Sequence, residues 1–107
     1  MPDERPNILL LMTDQHRGDC LGIAGHPVQQ TPFLDELAAG GYYFPRAYSA
    51  CPQCIPARRT LLTGSTVNSH GVYCNYTGPT LPFTTPPPAL CDAGYHTHVC
   101  GKMHTFP

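Results

Sequence analysis

The sequence predicts an α/β fold with a mainly parallel central sheet. Three observations carry that expectation. A short apolar run near the start reads as a buried strand, a well-marked helix follows, and strand-like and helix-like stretches then continue in alternation.

Residues 7–13 begin the order. The run Ile8 to Met12 is apolar without period-2 alternation, as a central parallel strand covered on both faces should be. Asp14-Gln15-His16-Arg17-Gly18 is polar and turn-like and ends it. The next element starts at Thr31-Pro32, where threonine suits a cap and proline a first turn. Phe33, Leu34 and Leu37 supply an apolar face, and Gly40-Gly41 stops the helix. Residues 42–48 are aromatic and read as a second strand or an extended segment despite Pro45. Residues 56–63 read as a helix with Pro56 near its start, Leu61 and Leu62 facing inward, and Gly64 at its end. The stretch 65–89 is rich in Thr, Pro, Gly and Asn and reads as loop, with Pro86-Pro87-Pro88 arguing against regular structure. A short helix over 89–93 ended by Gly94, and a third strand over 96–100, complete the order.

Composition narrows the class. The 107 residues carry 12% charged side chains, 13 prolines and 10 glycines. That charged share is about half the usual one and suits a piece of a larger core better than a self-sufficient domain. No repeat or internal boundary stands out, so residues 1–107 are expected to be the amino-terminal part of one longer catalytic domain. A formal net charge of −1 gives no reason to expect nucleic acid or an anionic membrane as a partner. The longest apolar run is far short of the roughly 20 residues a spanning helix needs. Met1 to Pro6 is no secretory signal, so the chain as given is expected in the cytoplasm, or in the periplasm or outside the cell if a leader has been removed.

Three stretches carry chemistry. In Cys54-Ile55-Pro56-Ala57-Arg58-Arg59 a cysteine stands at the threshold of a helix, with a cation one turn in. Helix N-termini favour anions and anionic nucleophiles, and a thiol placed there is reactive. The same spacing also fits a buried cysteine before an ordinary amphipathic helix with two solvated arginines. In the second stretch, Asp14 and the Gln15 carbonyl follow a buried strand. They are oxygen donors suited to Ca²⁺ or Mg²⁺, although an Asp there is more often a plain turn residue. The third is Gly101-Lys102-Met103-His104. On an extended chain residues two apart point to one side, so Lys102 and His104 can converge on one anion; a polar loop is the alternative.

Together these residues resemble the sulfatase family. Residues 54–64 match its Cys-x-Pro-x-Arg signature and the Leu-Thr-Gly that follows. Residues 7–17 are similar to its opening strand and a Thr-Asp-Gln-x-Arg variant, and residues 94–104 to its Gly-Tyr-x-Thr and Gly-Lys-x-His. Thr31 to Ala38 resembles the family's first helix and His70-Gly71-Val72 a turn after the signature helix. The resemblance implies an alkaline-phosphatase-like α/β sandwich of which only the amino-terminal portion is present. It implies a sulfuric ester hydrolase in which Cys54 is oxidised to formylglycine by a formylglycine-generating enzyme. One hydroxyl of the hydrated aldehyde then attacks sulfur, and the other drives sulfate off in a second step. By the same resemblance Arg58 holds the hydrate, Lys102 the sulfate, and His104 the formylglycine hydroxyl or the substrate oxygen. Asp14, Gln15 and the modified Cys54 contribute to a divalent metal site, with Ca²⁺ first and Mg²⁺ or Mn²⁺ as alternatives. Many relatives have Asp-Asp where this chain has Asp14-Gln15, which removes one charge. The family's remaining metal ligands come far downstream, so the 107 residues alone are expected to be inactive. The expected substrate is a small-molecule or saccharide sulfate ester.

Two other functions fit parts of the sequence. Phosphonate or phosphate monoester hydrolysis by the same superfamily uses the same residues, because both esters are tetrahedral oxyanions. A small zinc-binding module is the other: Cys51-Pro52-Gln53-Cys54 is a Cys-x₂-Cys pair that Cys91, His96, His98 and Cys100 could complete, though His96-x-His98 is tight for the purpose. The six cysteines also allow a disulfide-stapled secreted module, or buried thiols with one special member.

Overall fold

The computed structural model describes residues 5–76 and 85–104. The chain packs as two compact units, Met1–Ala47 and Tyr48–Pro107. Its helices are α1 (Pro32–Ala39), α2 (Cys54–Thr63), α3 (Val67–His70) and α4 (Pro86–Asp92).

No strand forms among the described residues, so the stretches expected as strands (7–13, 42–48 and 96–100) are not paired. A strand exists only through a neighbour's backbone hydrogen bonds, and none of these segments has such a neighbour here. The apolar run shows the consequence: Leu9 is 80% exposed and Leu11 77%.

In the first unit, α1 starts and stops where the sequence signals lie. Its apolar face is present but uncovered, and Phe33, Leu34 and Leu37 are all exposed. Thr31 sits at the cap position without making the expected cap bond. Its hydroxyl is drawn away: Oγ1 accepts from the Gly22 amide at 2.8 Å and donates to Asp35 Oδ1 at 2.9 Å. Asp35 also accepts from the Ile23 amide at 2.9 Å, so the pair ties the 21–25 turns to α1. None of the described residues up to Ala47 is buried.

In the second unit, α2 begins two residues earlier than the sequence suggests, with Cys54 inside its first turn. The inward side is not Leu61 and Leu62; Leu61 is exposed and Leu62 half-buried. Ile55, Pro56 and Arg59 are the buried residues of the helix. At 3.6 residues per turn positions 55, 56 and 59 share one stripe, and 61 falls outside it. Val72 completes the buried apolar set and His70 the buried polar one.

Helix α3 lies in a stretch expected as loop, of which residues 77–84 are outside the described residues. Thr66 caps it by accepting the Ser69 amide at 3.2 Å. Gly64 and Gly71 end α2 and α3 at φ 65° and 68°, a left-handed conformation that glycine adopts without a Cβ penalty. Helix α4 corrects the reading of the triple proline. The first residues of a helix need no intrahelical N–H, and proline's fixed φ is already helical. Pro86 to Pro88 therefore form its first turn, and the first helical bond runs from Ala89 N to Thr85 O at 3.4 Å.

His70 links α3 to α2. The Val72 amide donates to its Nδ1 at 3.2 Å, so that nitrogen is bare and Nε2 carries the proton toward Thr60 Oγ1 at 3.1 Å. Replacing Thr60 by valine keeps the volume and strands this donor. The expected cost is about 1–3 kcal/mol, read as a lower urea midpoint for the second unit. An unchanged midpoint would mean that the bond carries no net stability.

Candidate active site

The chemistry of the second unit gathers at the start of α2. Gln53, extended at φ −105° and ψ 147°, leads into Cys54, the first helical residue. Cys54 is half-buried, and its neighbours Ile55 and Pro56 are fully enclosed, which seats this helix end against the core. Arg58 lies one turn further along. Its Nη1 donates to the Lys102 carbonyl at 2.7 Å, joining positions 44 residues apart. That bond brings the Lys102-Met103-His104 segment against the signature helix.

Left-handed backbone stands on either side of Lys102 and Met103. Gly101 has φ 95° and His104 φ 42°. Lys102 is exposed and His104 half-buried, with its Nδ1 enclosed and lacking a hydrogen-bond partner among the described residues. Gln15 and His104 are the non-glycine residues with positive φ among the described residues. Such backbone costs on the order of 1–3 kcal/mol and gathers at functional sites.

In the first unit, Asp14 and Gln15 are exposed at the end of the apolar run. A carboxylate and an amide oxygen are the hard donors that Ca²⁺ and Mg²⁺ accept, so the pair fits part of such a shell. Two side chains fall short of the about six to eight oxygens that Ca²⁺ takes. Among the described residues no three His, Cys, Asp or Glu side chains group to hold a metal ion. Cys51, Cys54, Cys91, His96, His98 and Cys100 therefore make no zinc cluster. All six cysteines are described and none is in a disulfide; none is fully buried either, and Cys91 and Cys100 are exposed. Arg17, in the same motif as Asp14, pairs with Asp19. The hydrogen bond from Arg17 holds the Asp19 carboxyl below its ordinary range.

Two features of the site escaped the sequence reading. The Asn75 side-chain oxygen accepts the Ile55 amide at 2.9 Å, and the Asn75 backbone amide donates to Gln53 Oε1 at 3.1 Å. His70, read as part of a turn without chemistry, is a buried strut beneath α2. Thr66-x-x-Ser69 followed by Gly71 was the signal for α3; nothing local announced Asn75.

A family model described as Sulfatase matches residues 6–107. The chain belongs to the sulfatase family.

Similar sulfatases come from distant organisms. The chain is 45% identical to an arylsulfatase of Clostridium perfringens over 96% of its own length, and covers 22% of that relative. It is 40% identical to the N-acetylgalactosamine-6-sulfatase of Canis lupus familiaris over 92% of its length, and again covers 22%. With the ulvan-active sulfatase of Formosa agariphila the identity is 40% over 94% of the chain and 20% of the relative. It thus spans about a fifth of the length of these relatives. No solved structure matches it. The matched range includes Asp14, Gln15, Cys54, Arg58, Lys102 and His104. No described helix is long and apolar enough to cross a membrane.

Two outcomes are expected at these residues. Arg58→Ala removes the donor on the Lys102 carbonyl, so amide exchange at residues 102–104 should rise severalfold while α3 is unchanged. Equal exchange in both proteins would show that the bond does not order the segment. For Asp19 the sign follows from its lowered folded value: the pair contributes above the ordinary aspartate range, and that contribution is lost as pH falls below it. A carbon-detected NMR titration should place Asp19 below that range, and Arg17→Ala should return it.

Proposed function

We propose that this sulfatase chain serves a sulfuric ester hydrolase whose nucleophile is formylglycine made from Cys54. The observation that carries the reading is Cys54 in the first turn of α2, with Arg58 one turn on and bonded to the Lys102 carbonyl. Helix start, guanidinium and lysine each favour negative charge, which suits an anionic nucleophile attacking an anionic ester.

Each residue then has a task. Hydrated formylglycine at position 54 supplies two hydroxyls, one to attack sulfur and release the alcohol, the other to expel sulfate and restore the aldehyde. Arg58 spends one N–H on the Lys102 carbonyl and holds the hydrate with others of its five. Lys102 places a point charge on a sulfate oxygen. His104 supplies a hydrogen bond or a proton at the hydroxyl or the ester oxygen. Asp14 and Gln15 are the proposed donors to a divalent ion, Ca²⁺ before Mg²⁺ or Mn²⁺, which stabilises developing negative charge.

The relatives' names span aryl, N-acetylgalactosamine 6-position and ulvan sulfatases, so the proposed substrate is a sulfate ester of a small molecule or saccharide. The same reading assigns residues 7–13, 42–48 and 96–100 to a mainly parallel sheet of an alkaline-phosphatase-like sandwich. It takes residues 1–107 as the amino-terminal part of that domain.

The test is direct. The chain is co-expressed with a formylglycine-generating enzyme, and the tryptic peptide Ala47–Arg58 is sequenced by mass spectrometry. Conversion of the Cys54 thiol to an aldehyde, with Cys51 intact, is expected. Two intact thiols beside a converted control peptide would reject the proposal.

A further inference from the structure

A helix leaves its first amides without intrahelical partners, and a local Ser, Thr, Asp or Asn usually satisfies one of them. Helix α2 has no such residue. Its cap position is Gln53, whose side chain makes no cap bond. The first intrahelical bond is Ala57 N to Gln53 O at 3.1 Å, and Pro56 has no amide hydrogen. The Ile55 amide therefore needs an outside acceptor, and Ile55 is only 1% exposed, so water is a poor substitute.

Asn75 meets that need from 20 residues away. Its Oδ1 takes the Ile55 amide at 2.9 Å, while its backbone amide is held by Gln53 Oε1 at 3.1 Å. The two bonds grip the residues on either side of Cys54. We infer that Asn75 is a positioning residue: with Gln53 it forms a reciprocal cap, closed through the tertiary fold, that sets where the Cys54 side chain leaves the start of α2. The inference rests on Cys54 as the precursor of the nucleophile.

The role belongs to the Asn75 oxygen and not to its NH₂ group. Asn75→Asp keeps an acceptor and adds a charge that helix N-termini favour, so it preserves the cap. Asn75→Ala removes it. A residue that instead donated to a ligand through Nδ2 would show the reverse tolerance to aspartate.

The experiment is NMR on the isotope-labelled full chain. A coupling across the hydrogen bond from the Ile55 amide to Asn75 Cγ is expected. Asn75→Ala should raise Ile55 amide exchange about fivefold, the scale of a lost N-cap. The Cys54 Cα shift should move toward its random-coil value, with Ser69 and Gly71 exchange unchanged and Asn75→Asp matching the parent. Should Asn75→Ala not fold, Gln53→Ala, which removes only the second bond, should raise Ile55 exchange by a smaller factor. An absent coupling, an unmoved Cys54 shift, failure of aspartate to match the parent, or loss of protection spread evenly through α3 would each overturn the inference. None of these readouts depends on conversion of Cys54, so failure of the cap and failure of the sulfatase nucleophile are separately visible.

Discussion

The bond from the Ile55 amide to the Asn75 side chain fixes the first turn of α2, on which the site of the second unit depends. Ile55 and Pro56 anchor that turn in the core, and Asn75 relieves the amide that the anchoring would otherwise strand. Further along the helix, His70 braces Thr60 from the stretch that carries Asn75. Residues 66–75 thus run beside α2 as a splint, attached at its middle and at its start. Cys54 owes its place to this splint as much as to its own helix.

Electrostatics explains why such a start is useful. A tetrahedral oxyanion ester repels an anionic nucleophile, and in the proposed function the helix terminus, Arg58 and Lys102 would offset that repulsion with fixed charge. Arg58 spends part of its guanidinium on backbone, which orders the Lys102–His104 segment before any ligand arrives. Sulfate and phosphate esters would feel the same field, because both are tetrahedral oxyanions.

The candidate site was legible in the sequence as a set of residues, of which the structure joins Arg58 to Lys102. Cys54, Arg58, Lys102 and His104 could be picked out because their chemistry is carried by residue type and short spacing. Helix α1 was readable from Thr31-Pro32 and Gly40-Gly41, although Thr31 turned out to serve Gly22 and Asp35. The start of α2 was misjudged by two residues because its cap is Asn75, which no window around Cys54 contains. Pro86 to Pro88 misled because proline's reputation as a breaker applies to helix interiors and not to first turns. Residues 7–13 have the composition of a strand, but composition does not supply the neighbour that makes one.

The most direct measurement of the central claim is a titration of inorganic sulfate into the isotope-labelled chain, followed by amide shifts. The expected result is saturable movement at Cys54, Ile55, Ala57 and Arg58 together with Lys102 to His104, reduced by Arg58→Ala. Shifts confined to other residues, or none at these at millimolar sulfate, would contradict the assignment of the α2 start as the place where a sulfate ester binds.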